Sequence, residues 1–267
     1  MLELLKGFLR FIDADMIEPT LYGWFHIMWL AIVLIASIIT IVFRKKLSNK
    51  KTNIILTVLL IAMIILEILK QINFSYDVEK DIWEYEWYSF PFQFCSTPMY
   101  VLSLALIFQK TKFAKACNVY LGTYGLFAGI GVMLYPSTVF IDTILINNQT
   151  MVHHGGMIYI AVLLWVSKKE DFNLLNFLNA IKIFISLVII AMIMNKMATP
   201  EMNFNMFWIA QNSECPIPVL SSVYATVSYP LFIVTYILGF SLLAGIMMLL
   251  AKGISKLINT KNKAITE

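Results

Sequence analysis

The chain is 267 residues long, 60% hydrophobic and 13% charged, with a mean hydropathy of +0.78 and a formal net charge of +4. Soluble domains hold about 45–50% apolar and about 25% charged residues. An ordinary soluble domain is therefore excluded, and the long uncharged runs predict an all-α, polytopic integral membrane protein.

Membrane lipids are the expected partners. No nucleic acid and no cofactor is expected, and the oligomeric state stays open. The abundance of Ile, Lys and Asn suggests an AT-rich bacterial genome, hence a bacterial plasma membrane. Three cysteines, Cys95, Cys117 and Cys215, allow at most one disulfide, so disulfides do not hold the fold together.

Residues 1–20 mix charges with Leu2, Leu4, Leu5, Phe8, Leu9 and Ile12 at near-helical spacing, which predicts an amphipathic interfacial helix. No long apolar centre or small-residue cleavage site marks it as a signal peptide. A seven-helix transmembrane domain is expected over 21–251, with a basic tail over 252–267. Its spans are read as Leu21 to Phe43, Asn53 to Ile72, Pro91 to Phe108, Ala116 to Leu134, Met151 to Val166, Phe177 to Met194 and Tyr229 to Leu250. At 1.5 Å per residue most of these cross a core of about 30 Å. The fifth is short unless it extends upstream, and a re-entrant half-span over Val139 to Ile146 is a further option. Pro136, Pro200, Pro216 and Pro218 mark breaks between helices.

Alternating the loops puts fourteen basic residues on one side and five on the other, with Lys182 inside a span. The positive-inside rule then places the N-terminus out and the C-terminus in. The outer loop from Asn73 to Ser89 carries Asp77, Glu79, Asp81, Glu84 and Glu86 with Trp83, Tyr85, Trp87 and Tyr88. It reads as a lid over an outer cavity or as an interfacial anchor. Gly122, Gly125 and Gly129 make a smooth face for close helix packing.

Two polar clusters interrupt the apolar pattern. Phe90-Pro91-Phe92-Gln93-Phe94-Cys95-Ser96-Thr97-Pro98 opens the third span, and His153-His154-Gly155-Gly156 opens the fifth. Both helices run inward from the same face, so a thiol and an imidazole lie at matched depth and could meet. A neighbouring His can take the proton as sulfur attacks; otherwise Cys95 is a packed thiol beside a structural His. Pro98 removes the helical partner of the Phe94 carbonyl and is expected to loosen this turn.

Polar side chains inside a membrane usually face a cavity or one another. His26, Glu67, Lys70, Gln93, His154 and Asn195 fall at the same outer depth and are candidate substrate-binding residues. Glu67 and Lys70 form an ion pair or a proton-coupled site. No metal is expected, because no H-x-x-E-H-type spacing is present. The rival class is a transporter or small-ligand binding protein that uses Glu67, Lys70 and His153. A heptahelical receptor or a purely structural membrane protein is a third class.

The segment Pro91 to Ser96, the His153-His154-Gly155 segment, their spacing, Asn195 and the Asn203-Phe204-Asn205 loop resemble the bacterial YwaF-type integral membrane family. That family is similar to the eukaryotic transmembrane protein 164 group. The resemblance implies a Cys–His acyltransferase that moves a fatty acyl chain between glycerophospholipids. It makes Cys95 the nucleophile and His153 the base, with Gln93 or a helix-start amide steadying the oxyanion and a lysolipid or water accepting the acyl group.

Overall fold

The computed structural model describes residues 2–77, 80–136, 139–211, 213, 215–217 and 219–264. Glu79 of the acidic loop, Pro218, residue 1 and the tail end 265–267 lie outside the described residues.

The protein is all-α apart from one small hairpin. The helices are α1 (Leu2–Ile12), α2 (Trp24–Val42), α3 (Asn49–Asn73), α4 (Thr97–Ile107), α5 (Lys112–Tyr120), α6 (Leu126–Leu134), α7 (Ile144–Ser167), α8 (Leu174–Met197), α9 (Leu220–Thr226) and α10 (Tyr229–Ala264). Residues Leu121–Gly125 join α5 to α6 as a π-helical turn, so the two form one rod. Among the described residues, six helices are long and apolar enough to cross a membrane: α2, α3, α5–α6, α7, α8 and α10 as far as Ile254. Phe94–Ile107 is a shorter apolar helix. The chain is a multi-pass membrane protein.

The bundle centres on α5–α6 and α7, whose apolar windows are mostly buried, whereas α2, α3, α8 and α10 turn large aliphatic side chains outward. That pattern suits a hydrocarbon solvent, where exposed Ile and Leu cost nothing. Phe184 of α8 anchors the core, with rings of Phe94, Tyr124, Phe207, Tyr236 and Phe240 packed about it. The glycines of the α5–α6 rod serve different neighbours. A Cβ on Gly122 would meet the Phe172 ring at 2.5 Å, and one on Gly129 would meet the His154 carbonyl oxygen at 2.8 Å. Gly129 therefore sets how closely α7 approaches.

Two expectations are refined. The fifth span does extend upstream of Met151: α7 begins at Ile144 and buries Asn147, Gln149 and Thr150, so it takes up the end of the optional half-span. Asn147 is buried by bonding both the N–H and the carbonyl of Ile141. The outer loop also folds into a hairpin, β1 (Tyr76–Asp77) against β2 (Ile82–Trp83). The N-terminal helix is docked on it: Leu9 and Ile12 pack with Tyr76, and Lys6 pairs with Asp81 at 2.7 Å.

Candidate functional site: a Cys–His pair beside a buried ion pair

The Cys95 turn is a short 3-10 segment, Phe94–Ser96, that precedes α4. Phe94 is locked between Phe127, Phe184, Phe207 and Phe240. The carbonyl that Pro98 leaves without a helical partner does not stay free. It accepts from the Thr97 N–H and, at 2.7 Å, from the Thr97 hydroxyl, which also bonds Tyr120 Oη at 2.7 Å. The turn expected to be loose is held by a replacement bond.

His153 lies well inside α7, about 14 Å along it from Ile144, rather than at a helix start. Its Nε2 is 2.9 Å from the carbonyl oxygen of Cys95. A carbonyl only accepts, so Nε2 carries the proton and Nδ1 holds the lone pair. That Nδ1 is buried with no partner. The imidazole and the cysteine therefore meet, but through the cysteine backbone; no hydrogen bond joins the thiol to the ring. His154 follows the same logic. Its Nδ1 donates to Thr150 O at 2.8 Å and its buried Nε2 is unpartnered. The two rings pack edge-on, 5.2 Å between centroids.

Behind them sits the ion pair. Glu67 is 5% exposed and binds Lys70 Nζ at 2.8 Å through Oε1. The same oxygen accepts from Gln71 Nε2 at 2.8 Å, while Oε2 accepts from Gln149 Nε2 at 3.1 Å. Gln71 also donates to Ser89 O and accepts from Tyr85 Oη at 2.6 Å. Burial and the Glu67 charge hold the Tyr85 phenol above its ordinary pKa, so it stays a donor. The charges of Glu67 and Lys70 lie within electrostatic reach of both Cys95 and His153. One chain of contacts thus runs from the outer loop through Gln71, Glu67 and Gln149 to α7, where Gln149 sits one turn before His153. Reading the sequence missed Gln149. Its signal was the i, i+4 spacing to His153, which lay upstream of a span read as starting at Met151.

Gln93 and Asn195 are both engaged by the loop that follows α8. Gln93 donates to Asn205 O at 2.9 Å and accepts from the Phe207 N–H at 2.9 Å. Asn195 brackets Met206 in the same way, at 3.0 and 2.7 Å. Between them they pin a strained loop in which Asn203, Phe207 and Trp208 have φ of 45°, 60° and 57°. His26 is engaged by Tyr22 and Met133. It accepts from the Tyr22 N–H at 3.0 Å and lies 2.8 Å from Met133 O, so both its nitrogens are used.

Cys95, Cys117 and Cys215 are all free thiols. Burial pushes the Cys215 thiol up, so it remains protonated. Among the described residues no group of three or more His, Cys, Asp or Glu could hold a metal ion.

Residues 21–251 match the model of the TMEM164 family. The chain belongs to this family. The match spans α2 through most of α10, so Cys95, His153, Glu67, Lys70 and the Asn203–Trp208 loop all lie within the TMEM164 region. No curated protein and no solved structure matches the chain.

Proposed function

We propose that this TMEM164-family protein is a membrane-embedded acyltransferase or acyl hydrolase acting on glycerophospholipid through Cys95 and His153. The observation that carries the reading is the spare Nδ1 lone pair of His153, buried beside a cysteine whose own carbonyl fixes the imidazole tautomer. A fixed donor on one nitrogen leaves the other as the base, the arrangement a thiol needs for activation.

In this scheme Nδ1 takes the proton from the Cys95 thiol as sulfur attacks the acyl ester carbon. The Nε2–H bond to Cys95 O supports the imidazolium that forms. The lysolipid oxygen leaves with that proton, and the acyl group stays on sulfur as a thioester. A second lysolipid hydroxyl, or water, then gives its proton to Nδ1 as its oxygen attacks the thioester carbon; the C–S bond breaks, and the leaving Cys95 sulfur takes that proton back from Nδ1 as the thiol. Gln93 is engaged by the 205–207 backbone, so the oxyanion is steadied by amides that open the Cys95 turn, which have no partner within it. His154, Glu67 and Lys70 set the polarity around the pair; Gln93 and Asn195 hold the neighbouring loop, and His26 the start of α2.

We further read the fold as a seven-span bundle over 21–251, N-terminus out and C-terminus in, with 1–20 interfacial and 252–267 a basic tail in the cytoplasm of a plasma membrane. Supporting the seventh crossing, α4 with its leading residues matches α3 end to end. Gln109 bonds Asn53 at the basic end, and Pro91 shares a groove with Ile72 and Trp83 at the other.

The test is acyl transfer in vesicles that carry a mass-labelled phospholipid and a lysolipid. Wild type moves the label, Cys95→Ala and His153→Ala do not, and Glu67→Gln retains activity. Transfer that survives Cys95→Ala refutes the scheme. A transporter reading is favoured by the buried Glu67–Lys70 pair alone, and it predicts the reverse ranking, with Glu67→Gln damaging and Cys95→Ala silent.

A further inference from the structure

Two cavities take lining residues from the 91–99 segment that carries Cys95, and they differ in chemistry. On one side a groove of about 520 Å³ runs between α3 and α4 under the hairpin, lined by Ile64, Ile68, Ile72, Trp83, Pro91 and Met99. Among the described lining residues, its ionisable groups are Glu67 and the Tyr85 phenol. Its mouth opens sideways, because Ile64, Ile68 and Trp83 are exposed where α3 faces the bilayer. On the other side a cavity of about 700 Å³ is lined by Gln93, Asn195, Thr199, Asn203, Gln211 and Ser213 with Trp208. Its lining is rich in amides and hydroxyls, and among the described lining residues none carries a formal charge.

The partition between them is the Cys95 segment itself. Pro91 and Met99 line the apolar groove, while Gln93, between them in sequence, lines the polar cavity. Both volumes fall in the range of small-molecule sites, about 300–1,000 Å³. An apolar slot and a hydrogen-bonding basin that share one short segment as their wall suit an amphipathic ligand that lies across it. A lipid brings both halves, and its ester link falls at the junction.

We propose that the lipid substrate straddles the Cys95 turn, one acyl chain in the groove beside α3 and the polar headgroup in the basin at the 203–213 loop. This rests on the acyl-transfer reading above and adds where each half of the substrate sits. The groove is the route by which a chain enters sideways from the bilayer. Glu67, held by Lys70, Gln71 and Gln149, forms its polar inner wall.

The experiment follows acylation of Cys95 by intact mass, using dioleoyl-phosphatidylcholine vesicles and, separately, dihexanoyl-phosphatidylcholine. Four proteins are compared: wild type, Ile68→Trp in the groove, Thr199→Trp in the basin, and Ile189→Trp on the lipid-facing side of α8. Ile68→Trp is expected to slow acylation by the long-chain lipid about tenfold or more while the short-chain lipid stays within about twofold. Thr199→Trp slows both, and Ile189→Trp neither. Equal effects of Ile68→Trp on both lipids, or none, overturn the placement. If wild type acylates with neither lipid, the acyl-enzyme reading fails and the groove is judged by photo-cross-linking with diazirine-phosphatidylcholine. Labelling of 64–72 above 189–193, removed by Ile68→Trp, keeps the groove as a lipid site; equal labelling removes it.

Discussion

His26 and His153 are both buried imidazoles in apolar helices, and they differ in what is left over. His26 spends both nitrogens, on Tyr22 N–H and Met133 O, and so stitches the start of α2 to the end of α6. His153 spends one, on the Cys95 carbonyl, and keeps a buried lone pair unpartnered. Buried polar atoms without a partner are uncommon and costly. In a membrane bundle the useful sign is therefore not polarity but unspent hydrogen-bonding capacity. Gln93 and Asn195 fall on the His26 side of that divide and His154 on the other.

The widest split is expected between the two histidines themselves. His153→Ala should cut acyl transfer by about 100- to 10,000-fold. His26→Ala should leave turnover near wild type but strand a buried N–H and a buried carbonyl, each costing about 1–3 kcal/mol, seen as a lower unfolding temperature in detergent. His154, whose bond goes to its own helix, should lose less activity than His153. A His26 variant that is dead but stable would break the comparison.

Next comes the ion pair. Glu67→Ala leaves Lys70 without its carboxylate in a site that is mostly buried, at a cost of about 3–5 kcal/mol. Glu67→Gln keeps contacts to Gln71 and Gln149 and should cost less. Thermal unfolding of the two variants reads the difference.

Two glycines on α6 sharpen the packing side. Gly129→Ala drives a Cβ against His154 O at 2.8 Å and Met157 Cβ at 3.1 Å, so it should destabilise by about 1–3 kcal/mol and shift α7 under the histidines. Gly131, two residues on, has nothing within 4 Å of an added Cβ, so its Ala variant should gain up to about 1 kcal/mol from helix propensity.

The smallest effect belongs to the exposed contact between α1 and the hairpin. Lys6 and the Tyr76 hydroxyl hydrogen-bond Asp81 and hold its carboxyl below the ordinary range, while Asp81 raises Lys6 and Tyr76. A depressed carboxylate contributes above its unfolded pKa, near 3.9, and loses that contribution as pH falls through its folded value. The raised Lys6 and Tyr76 contribute at lower pH and lose it as pH climbs past about 10. Protease access to α1 should therefore rise at both extremes and stay flat between.

How much of this was legible in the sequence divides along the same line. The membrane-crossing helices, 19 to 26 residues long, announced themselves by hydropathy, because the bilayer demands length and little else. The meeting of Cys95 with His153 could be anticipated from matched depth. Its form could not. A ring that meets a backbone carbonyl instead of a thiol depends on α7 starting at Ile144, and the run from Asn147 to Thr150 hid that start. The clamps made by Gln93 and Asn195 were equally hidden, since a loop pinned at positive φ without glycine leaves no periodic mark. Thr97 capturing the Phe94 carbonyl is a local bond that a proline rule alone reads as a loss.

The most direct test is intact-mass spectrometry of the purified protein after incubation with phospholipid vesicles, wild type beside Cys95→Ser and His153→Ala. The account predicts a hydroxylamine-labile acyl adduct on wild type that is absent from both variants. A wild-type protein that stays unmodified with Cys95 free, or an adduct that persists in Cys95→Ser, would contradict it.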